Sequence, residues 1–234
     1  MNYPTVKSIS LAAAVLASGC SAPAGANDAQ HPTVVELFQS QGCSSCPPAI
    51  ANVNGIADRP EVLALTFAVT YWDQLGWKDT FAKPEFTDRE RDYASSGTSA
   101  FATPQTVING RTTVNGGNRA ELVAAIRAAN RGLGGPQISA TADQAIIGAA
   151  ATSRPAIVWL VRYDARDLKV PIRAGENGGR TLSHRNVVRS LASIGTWQGK
   201  SIALAIPAIR DPNLRGAILV QSGRGGPIIA AARL

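Results

Sequence analysis

One stretch of sequence decides the predicted fold: Thr33-Val34-Val35-Glu36-Leu37-Phe38-Gln39-Ser40-Gln41-Gly42-Cys43-Ser44-Ser45-Cys46-Pro47-Pro48. Its first six residues are mostly apolar and β-branched, which predicts a buried strand, and the polar or small residues after them are typical of a loop. Pro47 and Pro48 suit only the first turn of a helix, where a missing N–H group does little harm. The sequence therefore predicts a strand, a loop and a helix, with both cysteines at or just before the helix N-terminus.

The spacing of Cys43 and Cys46 puts two thiols one helical turn apart, as thiol–disulfide exchange requires. A helix N-terminus favours the thiolate, because its dipole and unpaired N–H groups can bring a cysteine pKa from about 8.5 to roughly 3.5–7.5. The same motif also occurs in zinc sites and in structural disulfides. The chain has one further cysteine, Cys20, and two histidines, His31 and His184. A closed zinc site would need both histidines to converge on the pair, so we predict no metal site and no cofactor.

The N-terminal residues resemble a bacterial secretory signal peptide, with Lys7 followed by an apolar stretch and then small residues. The apolar stretch is too short to span a bilayer stably. Cleavage after Ala24-Gly25-Ala26 would remove residues 1–26 and give a periplasmic or secreted protein. Alternatively, Leu16-Ala17-Ser18-Gly19-Cys20 resembles a lipoprotein box, and Cys20 would then carry lipid and attach the protein to a membrane surface. Both interpretations place Cys43 and Cys46 in a compartment that permits disulfides.

Charge and glycine content divide the rest of the chain into two predicted domains. Residues 132–234 contain 13 Lys and Arg against 5 Asp and Glu, whereas the remainder is nearly balanced. The glycine-rich segment Gly132-Leu133-Gly134-Gly135-Pro136 is the natural boundary, which predicts domains at 33–131 and 137–234. The arginines are scattered and few aromatic residues lie among them, so we expect no nucleic-acid partner.

The first half is predicted to continue with an apolar strand, an exposed helix, a β-hairpin and a closing helix. Asn109-Gly110 indicates the hairpin, because a type I′ turn needs positive φ at both central residues. The predicted bounds are Pro48 to Asp58, Val62 to Thr70, Pro84 to Ser95, Thr106 to Ile108, Thr112 to Val114 and Asn118 to Asn130.

The second half contains short β-type runs separated by turn residues, which predicts an all-β sandwich of immunoglobulin-like type. The runs are Ile138 to Thr141, Ala145 to Ala149, Ala156 to Tyr163, Leu168 to Ile172, Ile202 to Ile206, Ala217 to Gln221 and Ile228 to Ala231.

Taken together, the order of elements in the first half, the Cys43-Ser44-Ser45-Cys46 motif and Ala102-Thr103-Pro104 resemble the thioredoxin superfamily. The resemblance implies a thioredoxin-like α/β fold over about residues 33–130. It also implies a cis-proline at Pro104 beside the cysteines, with Thr103 and Pro104 contributing to substrate binding. In this pattern Cys43 is the exposed nucleophile, and Cys46 resolves the mixed disulfide from within the helix.

More closely, the motifs resemble those of a secreted bacterial family, domain of unknown function 1223. The resemblance rests on Val35 to Phe38 with Gln41 to Pro48, and it extends through Tyr71-Trp72-Asp73, Leu75-Gly76-Trp77, Thr103-Pro104-Gln105, Gly175-Glu176-Asn177, Gly179-Arg180 and Asn186-Val187-Val188-Arg189. It implies a fold for the mature chain and leaves the substrate open.

Three further sets of residues are candidates for the site. Glu36 lies within the strand that leads to the cysteines; a buried carboxylate there could accept the proton of the resolving thiol, although an edge carboxylate is the alternative. Tyr71-Trp72-Asp73 follows a predicted parallel strand, where open sheets place ligands. In the second half, a polar group could form an anion-binding or catalytic cluster, or could simply join the two domains. Its members are Glu176, Arg180, His184 and Arg189.

These observations predict a secreted or periplasmic protein that exchanges disulfides with protein or small-molecule thiols, a thiol–disulfide oxidoreductase if it turns over. The alternative is a non-catalytic binding module in which Cys43 and Cys46 form a static disulfide or capture Cu(I), for which two thiolates suffice. A third hypothesis assigns the function to the β-domain alone.

Overall fold

The computed structural model describes Met1 and residues 28–129 and 134–234. The described residues of the first half form four strands and three short helices: β1 Thr33–Gln39, α1 Pro47–Asn54, β2 Val62–Ala68, α2 Pro84–Ser95, β3 Gln105–Ile108, β4 Thr112–Val114 and α3 Arg119–Ala128. Those of the second half form strands only: β5 Ile138–Ala140, β6 Gln144–Ile147, β7 Ala156–Asp164, β8 Leu168–Pro171, β9 Thr181–His184, β10 Val187–Trp197, β11 Ile202–Ala205, β12 Leu214–Gln221 and β13 Ile228–Arg233.

Eight of these strands form one large mixed sheet in the order β13-β12-β7-β10-β2-β1-β3-β4. In its first half β1 runs parallel to β2 and antiparallel to β3, and β3 pairs with β4 in a hairpin. In its second half β7 lies antiparallel between β10 and β12, and β13 closes the edge. The sheet therefore continues without a break from the first half of the chain into the second.

The two halves of the sheet meet where β10 begins beside β2. Val187 pairs in parallel with Thr66. The Thr66 N–H donates to the Asn186 carbonyl at 3.0 Å, and the Thr66 hydroxyl donates to the Arg185 carbonyl at 3.0 Å. The side-chain amide of Asn186 donates to the Ala64 carbonyl at 2.9 Å. These bonds cover part of the β2 edge, which the first half alone would leave open.

The predicted fold, a thioredoxin-like N-terminal domain followed by an immunoglobulin-like sandwich, is wrong. The long strands β7, β10, β12 and β13 extend the sheet of the first half instead of forming a separate sandwich. The remaining strands form a three-stranded sheet, β11-β6-β5, and the two-stranded β8–β9 hairpin. The error arose because β9 and β10 were missed in the sequence, and β10 is the strand that joins the halves. The domain boundaries at 33–131 and 137–234 stay a prediction.

The two faces of β1 point into different cores, because successive side chains of a strand point to opposite faces. Val34 and Phe38 join a core that also contains Phe86 of α2. Val35 and Leu37 join a core built with α1 and α3, to which both Cys43 and Cys46 belong. A third core lies where β6 packs on β7 and β12. The alternation of β1 thus separates the cysteines from the α2 side of the sheet.

Several local predictions are confirmed. Helix α2 has the predicted bounds, and Asn109 and Gly110 have φ of 49° and 61° at the turn between β3 and β4. The predicted leader, including Cys20, lies outside the described residues apart from Met1. In the part of the chain that is described, no helix is both long and apolar enough to cross a membrane.

Candidate functional site

The cysteine pair lies in the turn that connects β1 to α1. The Cys43 N–H donates to the Ser40 carbonyl at 3.1 Å, and the Cys46 N–H donates to the Cys43 carbonyl at 3.2 Å. Cys46 is the residue that caps the N-terminus of α1, and its carbonyl accepts the first helical bond, from Ile50, at 3.0 Å. The two sulfurs are bonded to each other. The prolines after Cys46 thus start the helix as predicted.

Both cysteines are buried, whereas the two residues between them are exposed. Cys43 and Cys46 have no solvent-accessible surface, and they pack among the apolar side chains on the α1 side of β1. Ser44 and Ser45 lie on the outside of the turn, and the Ser45 hydroxyl lies 3.4 Å from the Cys43 sulfur. A reacting thiol would therefore approach from the exposed serine side and would need a small local opening to reach sulfur.

A loop from the second half of the chain covers this turn. Residues 175–180, here called the tip segment, form the second part of the loop that connects β8 to β9. Asn177 in the tip segment is fully buried, and its amide donates to the carbonyls of Gln41 and Cys43 at 2.9 and 2.8 Å. Its side-chain oxygen accepts from the Arg180 guanidinium at 2.9 Å. The tip segment therefore fixes the backbone of the cysteine turn.

Glu176 brings a charge to the same turn. Its carboxylate accepts the Ser44 N–H at 3.0 Å, although the side chain is exposed. Hydrogen bonds from the side chain and the backbone of Ser44 lower the pKa of the Glu176 carboxyl, so Glu176 is ionised at neutral pH.

The segment after β2 also contacts the cysteine turn, and its residues Trp77 and Asp79 form what is here called the wall of the site. Trp77 donates its ring N–H to the Gln41 side-chain oxygen at 2.9 Å, and the Gln41 N–H donates to Asp79 at 2.7 Å. Asp79 is buried, and burial raises its pKa to about 6 even though the N–H groups of Gln41 and Phe81 favour the carboxylate. The tip segment packs on this wall, since a Cβ at Gly175 would lie 3.2 Å from that of Trp77.

Thr103 and Pro104, predicted to bind substrate, are linked to this wall through Trp72. The Thr103–Pro104 peptide bond is cis. The Thr103 hydroxyl accepts the Trp72 ring N–H at 2.8 Å, and Trp72 packs against the core that holds the cysteines. A Cβ at Gly42 would lie 3.5 Å from that of Trp72. Substrate binding by Thr103 and Pro104 stays a prediction.

The family model described as "Protein of unknown function (DUF1223)" matches residues 34–221. The chain belongs to this family. It is similar to the crystal structure of protein AGR_C_4864 from Agrobacterium tumefaciens, with 30% identity and a TM-score of 0.71 over 86% of this chain and 93% of that one. It also shares its fold with HBP35 of Porphyromonas gingivalis, at 12% identity and a TM-score of 0.56 over 90% of this chain and 76% of that one. No curated protein matches the chain.

In this DUF1223 protein Glu36, predicted as a proton acceptor, lies on the opposite face of β1 from the cysteines. Its carboxylate accepts from the Arg89 guanidinium at 2.6 Å and from the Tyr93 hydroxyl. Both partners belong to α2 and are buried. Gln221 of β12 completes the group by accepting from Arg89 at 3.3 Å and donating to Tyr93 at 3.1 Å. The structure therefore does not bring Glu36 to the cysteine pair.

Glu90 is another buried carboxyl group, and it corrects the prediction that the charged residues of α2 lie on an exposed face, since both Arg89 and Glu90 are buried. The Tyr71 hydroxyl donates to Glu90 at 3.3 Å, and the second oxygen of Glu90 has no partner in the described part of the chain. Burial raises the pKa of Glu90 to about 7 and also raises the pKa of Tyr71. Tyr71 thus faces α2, and Trp72 faces Thr103. The sequence predicts both residues at the end of a strand.

The polar group predicted in the second half makes two separate sets of contacts. Glu176 and Arg180 lie in the tip segment, as described above. His184 lies at the end of β9, where it is fully buried against Phe81, with 5.7 Å between ring centroids. The Arg189 guanidinium lies 5.1 Å from the centroid of the same Phe81 ring. Burial lowers the pKa of His184 to about 4, and neither of its ring nitrogens has a partner among the described residues.

The predicted absence of a zinc site stays a prediction, but the two histidines lie apart from the cysteine pair. His31 bonds to Asp28 at 3.0 Å, and His184 packs on Phe81. Across residues 28–129 and 134–234, no group of three or more His, Cys, Asp and Glu side chains is arranged to hold a metal ion. The residues that sequence reasoning missed are Gln41, Asp79 and Asn177. Gln41 and Asn177 had a signal, since both lie in motifs of the family resemblance.

Proposed function

We propose that Cys43 and Cys46 carry out thiol–disulfide exchange with protein or small-molecule thiols and disulfides. The observation that carries this proposal is that the two sulfurs are bonded to each other at the first turn of α1, with two exposed serines between them. An incoming thiolate would bond to one cysteine sulfur and release the other as a thiolate. A second thiolate would then attack the mixed disulfide and leave both cysteines reduced.

The size of the ring that the disulfide closes supports chemistry over stabilisation. Cys43 and Cys46 are three residues apart, and a loop this short limits the unfolded chain little. The chain-entropy model gives about 2 kcal/mol for such a loop, against about 4.7 kcal/mol for one of 100 residues. A disulfide selected for stability alone would be expected to join more distant parts of the chain.

The surroundings of the pair favour a moderate reduction potential over a strongly oxidising one. Pro47 and Pro48 have no N–H group, so the first two helical residues donate nothing to a thiolate at Cys46. Ser44 and Ser45 carry no positive charge, and Glu176 adds a negative one. The helix dipole remains as a stabilising influence. These features weaken the stabilisation of the thiolate that makes a disulfide strongly oxidising.

A static structural disulfide is the second candidate, and the burial of both cysteines favours it. Such a disulfide would make the site a binding module instead of an exchange enzyme. We further propose that the protein is exported to a compartment where disulfides persist, on the basis of the N-terminal sequence.

The reduction potential of the Cys43–Cys46 pair tests the proposal. The protein is equilibrated with glutathione or dithiothreitol buffers, and free thiols are trapped and counted by mass spectrometry. We expect a potential between about −120 and −270 mV, together with mixed disulfides captured by the Cys46→Ser variant. A potential below about −300 mV would support the structural disulfide instead.

A further inference from the structure

The β8–β9 hairpin is attached along α1 at both ends of the helix. Near the C-terminal end of α1, the Asn54 amide donates to the Ser183 carbonyl at 2.7 Å and its oxygen accepts the Arg185 N–H at 3.0 Å. Near the N-terminal end, Asn177 binds the carbonyls of Gln41 and Cys43. β8 and β9 pair with each other but with no strand of the eight-stranded or the three-stranded sheet. The hairpin therefore holds its tip segment over the cysteine turn through side-chain and loop contacts.

Glu176 is the charged side chain that the tip segment bonds directly to the cysteine turn. Its carboxylate lies 3.0 Å from the Ser44 nitrogen, which is bonded to the carbonyl carbon of Cys43. Standard bond lengths then place the carboxylate within about 8 Å of the Cys43 sulfur. That is inside the Debye length of about 10 Å at 0.1 M salt, so the two groups interact electrostatically in solution.

Two other charged groups face the turn. The buried Asp79 carboxyl accepts the Gln41 N–H, and the Arg180 guanidinium is bonded to the side chain of Asn177 rather than to the turn itself. Neither contacts Cys43, Ser44, Ser45 or Cys46 in the hydrogen bonds of the described residues. Glu176 is thus placed to act on the sulfur more directly than either of them.

We propose that Glu176 restrains the Cys43 thiolate: its carboxylate puts a negative charge beside the sulfur at which exchange begins, so that the tip segment sets how reactive Cys43 is. The inference rests on the proposed exchange reaction and names a positioning residue for it. Glu176 touches neither sulfur: the Ser44 N–H holds its carboxylate in place, and the charge acts on Cys43 across the remaining distance.

The charge balance of the reaction shows where Glu176 acts. Two thiols such as glutathione transfer two electrons and two protons to the disulfide. One S–S bond in the protein breaks, and one forms between the two thiols. When Cys43 then loses its proton, a second negative charge appears near Glu176, and repulsion disfavours that step. The oxidised protein carries no charge on sulfur and is unaffected.

The test is the pH profile of Cys43 alkylation in the reduced full-length protein. Iodoacetamide is the probe, the Cys46→Ser background leaves Cys43 as the thiol of the pair, and peptide mass spectrometry separates its signal from that of Cys20. Glu176→Gln keeps the size and the hydrogen-bond acceptor but removes the charge. We expect the acid dissociation constant of the Cys43 thiol to rise about fivefold to tenfold at low salt, as two charges about 8 Å apart predict at an effective dielectric constant of about 30–45, between those of bulk water and of a protein surface. The difference should shrink at 1 M salt.

Two further variants make the result specific. Glu176→Asp keeps the charge and should stay within about threefold of the parent protein. Glu121→Gln removes an exposed carboxylate from the first turn of α3 and should leave the constant within about twofold. A Glu176→Gln profile equal to that of the parent, or a shift that salt does not reduce, overturns the inference. Since alkylation needs no substrate, this outcome is distinct from a failure of the exchange activity.

Discussion

Strand β1 separates two buried sites that differ in how they are completed. On the α2 face, Glu36, Arg89, Tyr93 and Gln221 bond to one another deep in the core. On the α1 face, the buried cysteine pair is flanked by exposed serines and covered by the exposed tip segment. The first site is closed by partners inside the core, whereas the second is covered by a surface loop that hydrogen-bonds to the cysteine turn. Burial alone therefore does not distinguish a structural site from the proposed exchange site.

The sharpest test of this comparison is Glu36→Gln, which should destabilise the protein without changing the cysteine pair. The variant leaves the buried Arg89 charge without its ionic partner, and breaking such a pair costs about 3–5 kcal/mol. Urea unfolding measures the loss, with Glu85→Gln on the exposed face of α2 as the control. The reduction potential should remain that of the parent protein. A shifted potential with little loss of stability would make Glu36 part of the reactive site after all.

His184 gives a second test, because it lies at the base of the hairpin that covers the cysteine turn. Burial lowers the pKa of His184 from 6.5 to about 4 on folding. Above pH 6.5 the ring is neutral in both the folded and the unfolded state, and the folded protein has its full stability. As the pH falls towards 4 the ring is protonated in the unfolded state only, so this stability is lost. We expect the free energy of unfolding to fall by about 1.4 kcal/mol per pH unit in this range, roughly 3 kcal/mol in all.

The measurement is the difference in unfolding free energy between the parent protein and His184→Leu at several pH values. Asp79 acts in the opposite direction, since its pKa is raised on folding, but both proteins contain it and its effect cancels. A difference that does not vary between pH 7 and pH 4 would show that the ring is solvated in the folded protein.

Asn177→Ala tests whether the tip segment closes the proposed exchange site. The variant removes two hydrogen bonds to backbone carbonyls and should cost about 1–3 kcal/mol. It should also speed reduction of the disulfide by dithiothreitol, because the tip segment is released. Asn52→Ala is the matched control: it removes two bonds from α1 to the carbonyls of Gly116 and Gly117. Equal reduction rates in the two variants would mean that the hairpin does not limit access.

The local structure around the cysteines was predictable because each signal lies in a few adjacent residues. An apolar run, two cysteines and two prolines define β1, the turn and the start of α1. The hairpin at Asn109-Gly110 was predictable for the same reason, since one dipeptide determines the turn. Such signals depend on backbone chemistry and need no distant partner.

The joining strand β10 was missed because its sequence does not alternate. Its register against β7 shifts between Val188 and Ser190 and again between Ser193 and Gly195, so the residues that face each side change along the strand. Several of its side chains are partly exposed, and no continuous apolar run marks it. Because the sequence carries no signal for β10, it predicts two separate folds for the two halves.

The contacts of the candidate site were missed for a different reason. Asn177 bonds to Cys43 across 134 residues of chain, and a single sequence carries no signal for that pairing. Glu36 was correctly read as part of the strand, but which core it faces depends on α2 and β12, which pack on it from elsewhere in the chain.

The junction between β2 and β10 also constrains how the chain is made. Arg185, whose carbonyl accepts from Thr66, follows it by 119 residues. At a synthesis rate of about 5–20 residues per second, roughly 6–24 s pass between the two leaving the ribosome. During that time β2 has β1 as a partner on one side, but its other edge, which later contacts Arg185 to Val187, stays open, and an open strand edge invites association with another chain. The β2 edge of the newly made first half is therefore the place where association with another chain competes with completion of the sheet.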